Sequence, residues 1–238
     1  MSKGCWMVRV PKIVLVYIYA EGGAGGYRQK AENFVQSYLL NAPGFQHETR
    51  VVCNGVGVNA DTMAIFKAMP NLTFMNHDDS GWDIGGYQLA ARNIDCDLMI
   101  FCGGHTYFRM PGWLLRIWEV YEQYGHALYG ATGNQGNGNG VHPHVRTTGF
   151  WCHPKLMNSY PFLVTDRGSG GQRYEMEHGS NCLSNWAKSQ GLQRLIVGMD
   201  DVKALEQCDS MRGGYHQNDQ SNVLIGDRMT CPPFHHTP

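Results

Sequence analysis

Charge is scarce in this chain of 238 residues. Asp, Glu, Lys and Arg make up 16% of it, and 19 basic against 20 acidic residues leave a formal charge of −1. That balance excludes a protein whose main business is gripping duplex nucleic acid, which needs a basic surface. A long apolar run is missing too. The longest, Ile13–Ala20, is a strand's length and falls far short of the roughly 20 residues that cross a bilayer. None of the eight cysteines is spaced from another as C-x-x-C, so neither a zinc knuckle nor a thioredoxin motif is present. A chain of this size needs no disulfide staples, and the expectation is buried free thiols. No leader-type apolar segment precedes the first strand, Asn71-Leu-Thr73 carries little weight as a glycosylation sequon without one, and the expected compartment is the cytoplasm. No segment recurs with the period of a solenoid.

What is present is material for a core, 42% hydrophobic, and 30 glycines, which mark tight turns and close backbone approaches. Ile13–Ala20 is β-branched and aromatic throughout, the pattern of a strand buried on both faces. Glycines follow it, and then Tyr27–Leu40 carries a helical pattern closed by Pro43-Gly44. Strands are predicted over residues 48–55, 72–75 and 97–102, with helices over 60–69 and Trp82–Asn93 between them. This alternation implies an α/β fold with a mainly parallel sheet. Further on, residues 112–124 read as an amphipathic helix, 127–132 as a strand, 133–140 as a mobile glycine–asparagine loop, 146–153 as a strand, 181–190 as a helix and 195–198 as a strand. No linker divides the chain. One domain over 1–238 is expected, with a nucleotide half first, over about 1–110, and a second half over about 111–238.

The loop Glu21-Gly-Gly-Ala-Gly-Gly26 invites a dinucleotide reading, but Arg28 stands where G-x-G-x-x-G needs its third glycine. The Gly-Lys-Ser/Thr of a phosphate-binding Walker loop is missing as well. A turn after the first strand is the plainer reading.

A longer pattern runs from Val14 to about Trp186. The second strand ends Val51-Val-Cys-Asn-Gly55. Asn76-His-Asp-Asp-Ser-Gly-Trp-Asp-Ile-Gly-Gly86 follows, then Asp97-Leu-Met-Ile-Phe-Cys-Gly-Gly-His-Thr106 and Pro111-Gly-Trp113. In its order this resembles the GT-A nucleotide-sugar glycosyltransferases, especially family-2-like and rhamnan-synthesis-type members. Arg146-Thr-Thr-Gly-Phe-Trp-Cys-His-Pro154 is similar to their acceptor-side strand, and Glu175-Met-Glu-His-Gly179 to their acidic catalytic motif. Tyr215-His-Gln-Asn-Asp-Gln-Ser-Asn222 with Asp227-Arg228 is similar to their C-terminal segment. The resemblance implies a GT-A (Rossmann-like) fold, a mixed, mostly parallel central sheet flanked by helices. It implies transfer of a sugar from a nucleotide-diphosphate sugar to a saccharide or glycan acceptor with inversion, in glycan biosynthesis. Tyr19, Ala20, Asn54, Asp79 and Asp83 would then line the nucleotide cleft, and Trp113 and Trp151 would face the acceptor, with Trp82 and Tyr107 as further aromatics for stacking.

The chain departs from that family at one place. Where its members carry the metal-holding DxD aspartates, this sequence reads Cys102-Gly-Gly-His-Thr106. The expectation is metal-assisted binding, with Mn²⁺ or Mg²⁺ held by His105, with His216 or Asp78 close by, since imidazole suits Mn²⁺ better than Mg²⁺. A base is also needed to take the acceptor proton. Glu177 matches the acidic motif best, with Glu175 and His178 as alternatives. The two glutamates share a face if their segment is extended and diverge if it opens a helix. Two other readings stand beside this one: an inactive GT-A fold that binds a nucleotide sugar or glycan, and a hydrolase using Cys102 beside His105.

Overall fold

The computed structural model describes residues 9–20, 26–55, 57–167, 171–215 and 219–229. The chain opens with β1 (Ile13–Ala20), α1 (Tyr27–Leu40), β2 (Glu48–Asn54), α2 (Ala60–Phe66), β3 (Leu72–His77), α3 (Trp82–Asn93) and β4 (Leu98–Cys102). It continues through β5 (Tyr107–Phe108), α4 (Trp113–Tyr124), β6 (Ala127–Gly130), β7 (Gly133–Asn134), β8 (His144–Val145), β9 (Phe150–Cys152) and α5 (Pro154–Ser159). Last come α6 (Gln172–His178), α7 (Leu183–Ser189), β10 (Gln193–Val197), β11 (Val202–Ala204), a 3₁₀ turn at Leu205–Ser210 and β12 (Ile225–Gly226).

Eight strands form one sheet in the order β11-β10-β6-β9-β4-β1-β2-β3. The pairings β1–β2, β2–β3, β1–β4 and β6–β10 are parallel. Strand β9 runs antiparallel to both β4 and β6, and β11 antiparallel to β10. Only β9 and β11 therefore oppose the rest, and the sheet is mixed and mostly parallel with helices on both faces. This is the α/β architecture that the sequence implies.

Strand β1 shows why it reads as one unbroken apolar run. Ile13, Leu15, Tyr17 and Tyr19 belong to the core on one face of the sheet, beneath α1 and α4, while Val14, Val16 and Ile18 belong to the core on the other, beneath α3, α5 and α7. A strand with both faces covered has no polar side to alternate with. The same parity carries Tyr19 away from the solvent at the strand's end. Its ring is 2% exposed and lies 5.7 Å from Phe66, so it does not line a nucleotide cleft as expected.

Three expectations for the second half need correction. The 146–153 strand is broken: β8 ends at Val145, and β9 starts only after Gly149, whose φ of +116° takes the backbone out of the strand. The 133–140 loop is not wholly irregular, because Gly133 pairs with Val145 and Asn134 with His144. Trp113 and Trp151 are core residues, both 0% exposed. Trp113 stacks on Phe108 with ring centroids 4.1 Å apart, and Trp151 lies parallel to Tyr129 at 6.1 Å. Neither offers a face to an acceptor.

Candidate functional site

Chain direction places the site. From β1 the chain crosses by α1 to β2 on one side, and from β3 it returns by α3 to β4 on β1's other side. Ligands of open α/β sheets bind in the crevice that opens where strand order reverses in this way, outside the carboxyl ends. A cleft of about 780 Å³ lies there. Its walls include Ala20 at the end of β1, Asn54 and Gly55 at the end of β2, Asp79, Trp82 and Asp83 before and within α3, and Gly103, Gly104 and His105 after β4. The second half supplies His144, Arg146, Thr147, Thr148, Arg173, Glu177, His178, Asp227 and Arg228.

The turn into α3 is tightly built. Asp79, Gly81 and Trp82 have φ of +69°, +69° and +53°. Non-glycine residues in this region cost about 1–3 kcal/mol each, and such strain gathers at functional sites. The Asn54 amide donates to the Trp82 carbonyl at 2.9 Å, and its oxygen lies 3.0 Å from His77 Nδ1. Asn54 thus lines the cleft while spending its amide on holding this turn. Asp78 does not reach the cleft. It is solvent-exposed and accepts from the Ser80 amide at 3.0 Å and hydroxyl at 2.6 Å, which hold its carboxyl below the usual carboxylate range.

The acidic motif forms helix α6, and so the two glutamates diverge. Glu175 turns away from the cleft, accepting from Ser180 Oγ at 2.8 Å and from the Asn181 amide at 2.5 Å, bonds that hold its carboxyl below the ordinary value. Glu177 faces the cleft and accepts from Thr147 Oγ1 at 2.8 Å. Arg173, one helical turn earlier, brings its Nε to 3.4 Å from Glu177 and to 3.3 Å from Asp83, with its guanidinium over the Trp82 ring at 4.9 Å. Arg173 therefore ties the acidic motif to α3 of the first half. Burial pushes the Asp83 carboxyl up to about 6; Arg173 pulls it down and Glu177 adds to the rise. His178 lines the same wall, its ring meeting Tyr174 edge to face at 4.0 Å and lying 5.5 Å from His144. Burial lowers the His178 pKa below the ordinary imidazole value.

Asp227 and Arg228 close the far side. The Asp227 carboxylate accepts from Arg146 and from Thr148 Oγ1, both at 2.5 Å, and from the Met229 amide at 2.7 Å. Burial opposes its ionisation, but Arg146 and Thr148 outweigh burial and hold it below the usual range.

The residues after β4 do not fit a divalent metal. The turn carries no carboxylate, and the positive charges of Lys30 and Arg228 act on its one imidazole, His105. Asp227, the acidic group that acts on His105 in the opposite direction, already has its oxygens engaged. Among the described residues no three His, Cys, Asp or Glu side chains converge as a metal site. His216, the second expected ligand, lies outside the described residues, as does Glu21–Gly25 of the glycine loop. The Cys102 thiol is fully buried and pushed far up by burial, which removes it as a nucleophile; the six described cysteines are all buried. No described helix is long and apolar enough to cross a membrane.

Arg173, Thr147, His144 and Tyr27 were not singled out by the sequence. Only Arg173 left a signal there, four residues before Glu177 and so on the same helical face.

No protein-family model and no curated protein sequence matches the chain. Among solved structures it is similar to HddC from Yersinia pseudotuberculosis, with a TM-score of 0.44 and 12% identity over 64% of this chain and 82% of that one. It is similar to S. aureus TarS, with a TM-score of 0.46 and 9% identity over 63% of this chain. It is also similar to TarS 1-349 in complex with UDP-GlcNAc, with a TM-score of 0.44 and 13% identity over 62% of this chain. The match spans 30% and 46% of the two TarS chains.

Proposed function

We propose that the chain is a GT-A-type glycosyltransferase that moves a sugar from a nucleotide-diphosphate sugar to a saccharide acceptor. One observation carries the reading. A single cleft at the switch point of the sheet joins the donor-side residues Ala20, Asn54, Asp79 and Asp83 to an acceptor-side carboxylate, Glu177, through Arg173. In an inverting transfer the acceptor oxygen bonds to the anomeric carbon as the bond from that carbon to the diphosphate oxygen breaks. The diphosphate keeps the electron pair, and the acceptor proton passes to Glu177. Thr147 and Arg173 hold that carboxylate in one orientation while one side of it faces the cleft. Trp82, 36% exposed, supplies the aromatic face that Trp113 and Trp151 do not.

The test is product formation, by mass spectrometry, from a panel of nucleotide sugars and saccharide acceptors. Glu177→Gln keeps the shape of the side chain and removes the proton acceptor. Turnover is expected to fall by about 10² to 10⁴, with donor affinity little changed. Unchanged turnover in this variant rules out Glu177 as the base, and a matching loss in Glu175→Gln would move the role there.

A second reading is favoured by the turn at 102–106, which lacks the family's carboxylates: a GT-A fold that binds a nucleotide sugar or glycan without transfer. Donor binding without product for any acceptor marks that case.

A further inference from the structure

Basic side chains from other elements gather beside the turn that lacks carboxylates. His105 and Arg228 both line the cleft beside Gly103 and Gly104. Tyr27 lines it too, and its ring packs so close to Gly104 that a Cβ there would lie 3.6 Å away. The Lys30 ammonium sits over the same Tyr27 ring, 4.2 Å from its centroid, and this brings it to the same corner. Lys30 and Arg228 thus bring like charges to one corner of the cleft, and an anion bound there would relieve their repulsion.

Among the described residues, the neighbouring carboxylates already have other partners. Asp227 is claimed by Arg146 and Thr148, and Asp83 and Glu177 by Arg173. Among the described residues neither Lys30 nor Arg228 has a salt bridge. Arg146 lines the cleft as well, its guanidinium bound to Asp227.

We propose that side-chain cations, Arg228 and Lys30 with His105, hold the donor's diphosphate here and take the place of a divalent metal. The ligand's identity rests on the transferase reading, while the anion site rests on the cluster itself. In the transfer these groups face the oxygen on which the departing diphosphate gains its electron pair, and no proton or metal is needed on the leaving side.

Calorimetry on the full chain tests this with UDP, GDP, CDP and dTDP, and with inorganic pyrophosphate, in EDTA and again in Mn²⁺. Arg228→Gln and Lys30→Gln are run alongside; both side chains reach solvent, and their melting temperatures report whether the fold is kept. The expected result is one nucleoside diphosphate binding equally with EDTA and with Mn²⁺. Its affinity should fall about tenfold or more in Arg228→Gln and decline as salt is raised. Binding that requires Mn²⁺ overturns the inference and leaves the transferase reading standing, and so does Mn²⁺-independent binding that neither substitution weakens. Pyrophosphate binding that depends on Arg228, with no nucleotide bound, upholds the anion site and overturns the nucleotide-sugar reading. Binding of neither ligand overturns both.

Discussion

Burial holds the Asp83 carboxyl at about 6 although the Arg173 guanidinium is only 3.3 Å away, so ionising this side chain works against the fold. The sign follows from proton linkage. The folded pKa lies above the unfolded value of about 3.9, so the folded state binds the proton more tightly, and stability falls as pH rises from about 4 to about 6. Asp83→Asn removes the charge and that decline. Urea unfolding is expected to show the variant about 1–2 kcal/mol more stable than the parent at pH near 7.5, with the gain vanishing near pH 4. A variant less stable at neutral pH than at acid pH, relative to the parent, contradicts this account of the site. A carboxylate kept at such a disadvantage in a cleft points to use rather than stability. At this scale the sequence was informative where a residue's position alone decides its role. Asp79, Asp83, His105, Glu177 and His178 all reach the cleft. Tyr19, Trp113 and Trp151 do not, because strand parity and the packing of α4 fix which way a side chain points, and a list of aromatics does not reveal that.

Elements set the geometry of these residues. The glutamate pair could be assigned to opposite faces only once Gln172–His178 was seen to be helical; seven residues with a single fully buried side chain, Met176, leave little apolar periodicity to read. Helix α5, six residues long, is too short to leave a readable pattern for the same reason. The broken 146–153 strand was hidden because its residues all suit a strand, and only Gly149 marks the turn that delivers Thr147 and Thr148 to the cleft. By contrast β1, α1, α3 and β4 were plain, since each carries a long periodic or wholly apolar pattern. The entry to α3 gives a test of the element that aims Asp83. Gly81 and Gly26 share nearly the same left-handed backbone, φ +69° and +64°, and each precedes a helix. A Cβ on Gly81 would lie 2.1 Å from the Val164 carbonyl oxygen, whereas one on Gly26 would meet nothing within 4 Å. Gly26→Ala is therefore expected to cost about 1 kcal/mol, the left-handed penalty alone. Gly81→Ala should cost about 2–4 kcal/mol from penalty and clash together. Equal melting temperatures for the two variants count against the described packing of Val164 on this turn.

On the scale of the whole molecule, the sheet decides how the two halves relate. Strand β9 from the second half lies between β4 and β6, so β1 to β4 and the later strands β6, β9, β10 and β11 share one continuous sheet. The cores on both faces draw residues from each half, with Leu15 and Trp151 on one side and Val16 and Phe150 on the other. Such sharing implies that the halves unfold together. Tryptophan fluorescence, which includes buried Trp113 and Trp151, and far-ultraviolet circular dichroism should follow one coincident transition in urea; two separated transitions would mean that the halves are independent.

The same joining creates the cleft, because Arg173 and Glu177 meet Asp83 only if the halves are held as one body. Its central role is tested most directly by melting the full chain in the presence of nucleoside diphosphates and, separately, the matching nucleosides. A ligand at about 100 times its Kd adds about 2.7 kcal/mol to the folded state. For a chain of this length that corresponds to a rise of about 5 °C or more in Tm. The expected result is such a rise with at least one diphosphate and a much smaller one with its nucleoside. A cooperative melt that none of the diphosphates shifts would contradict the account.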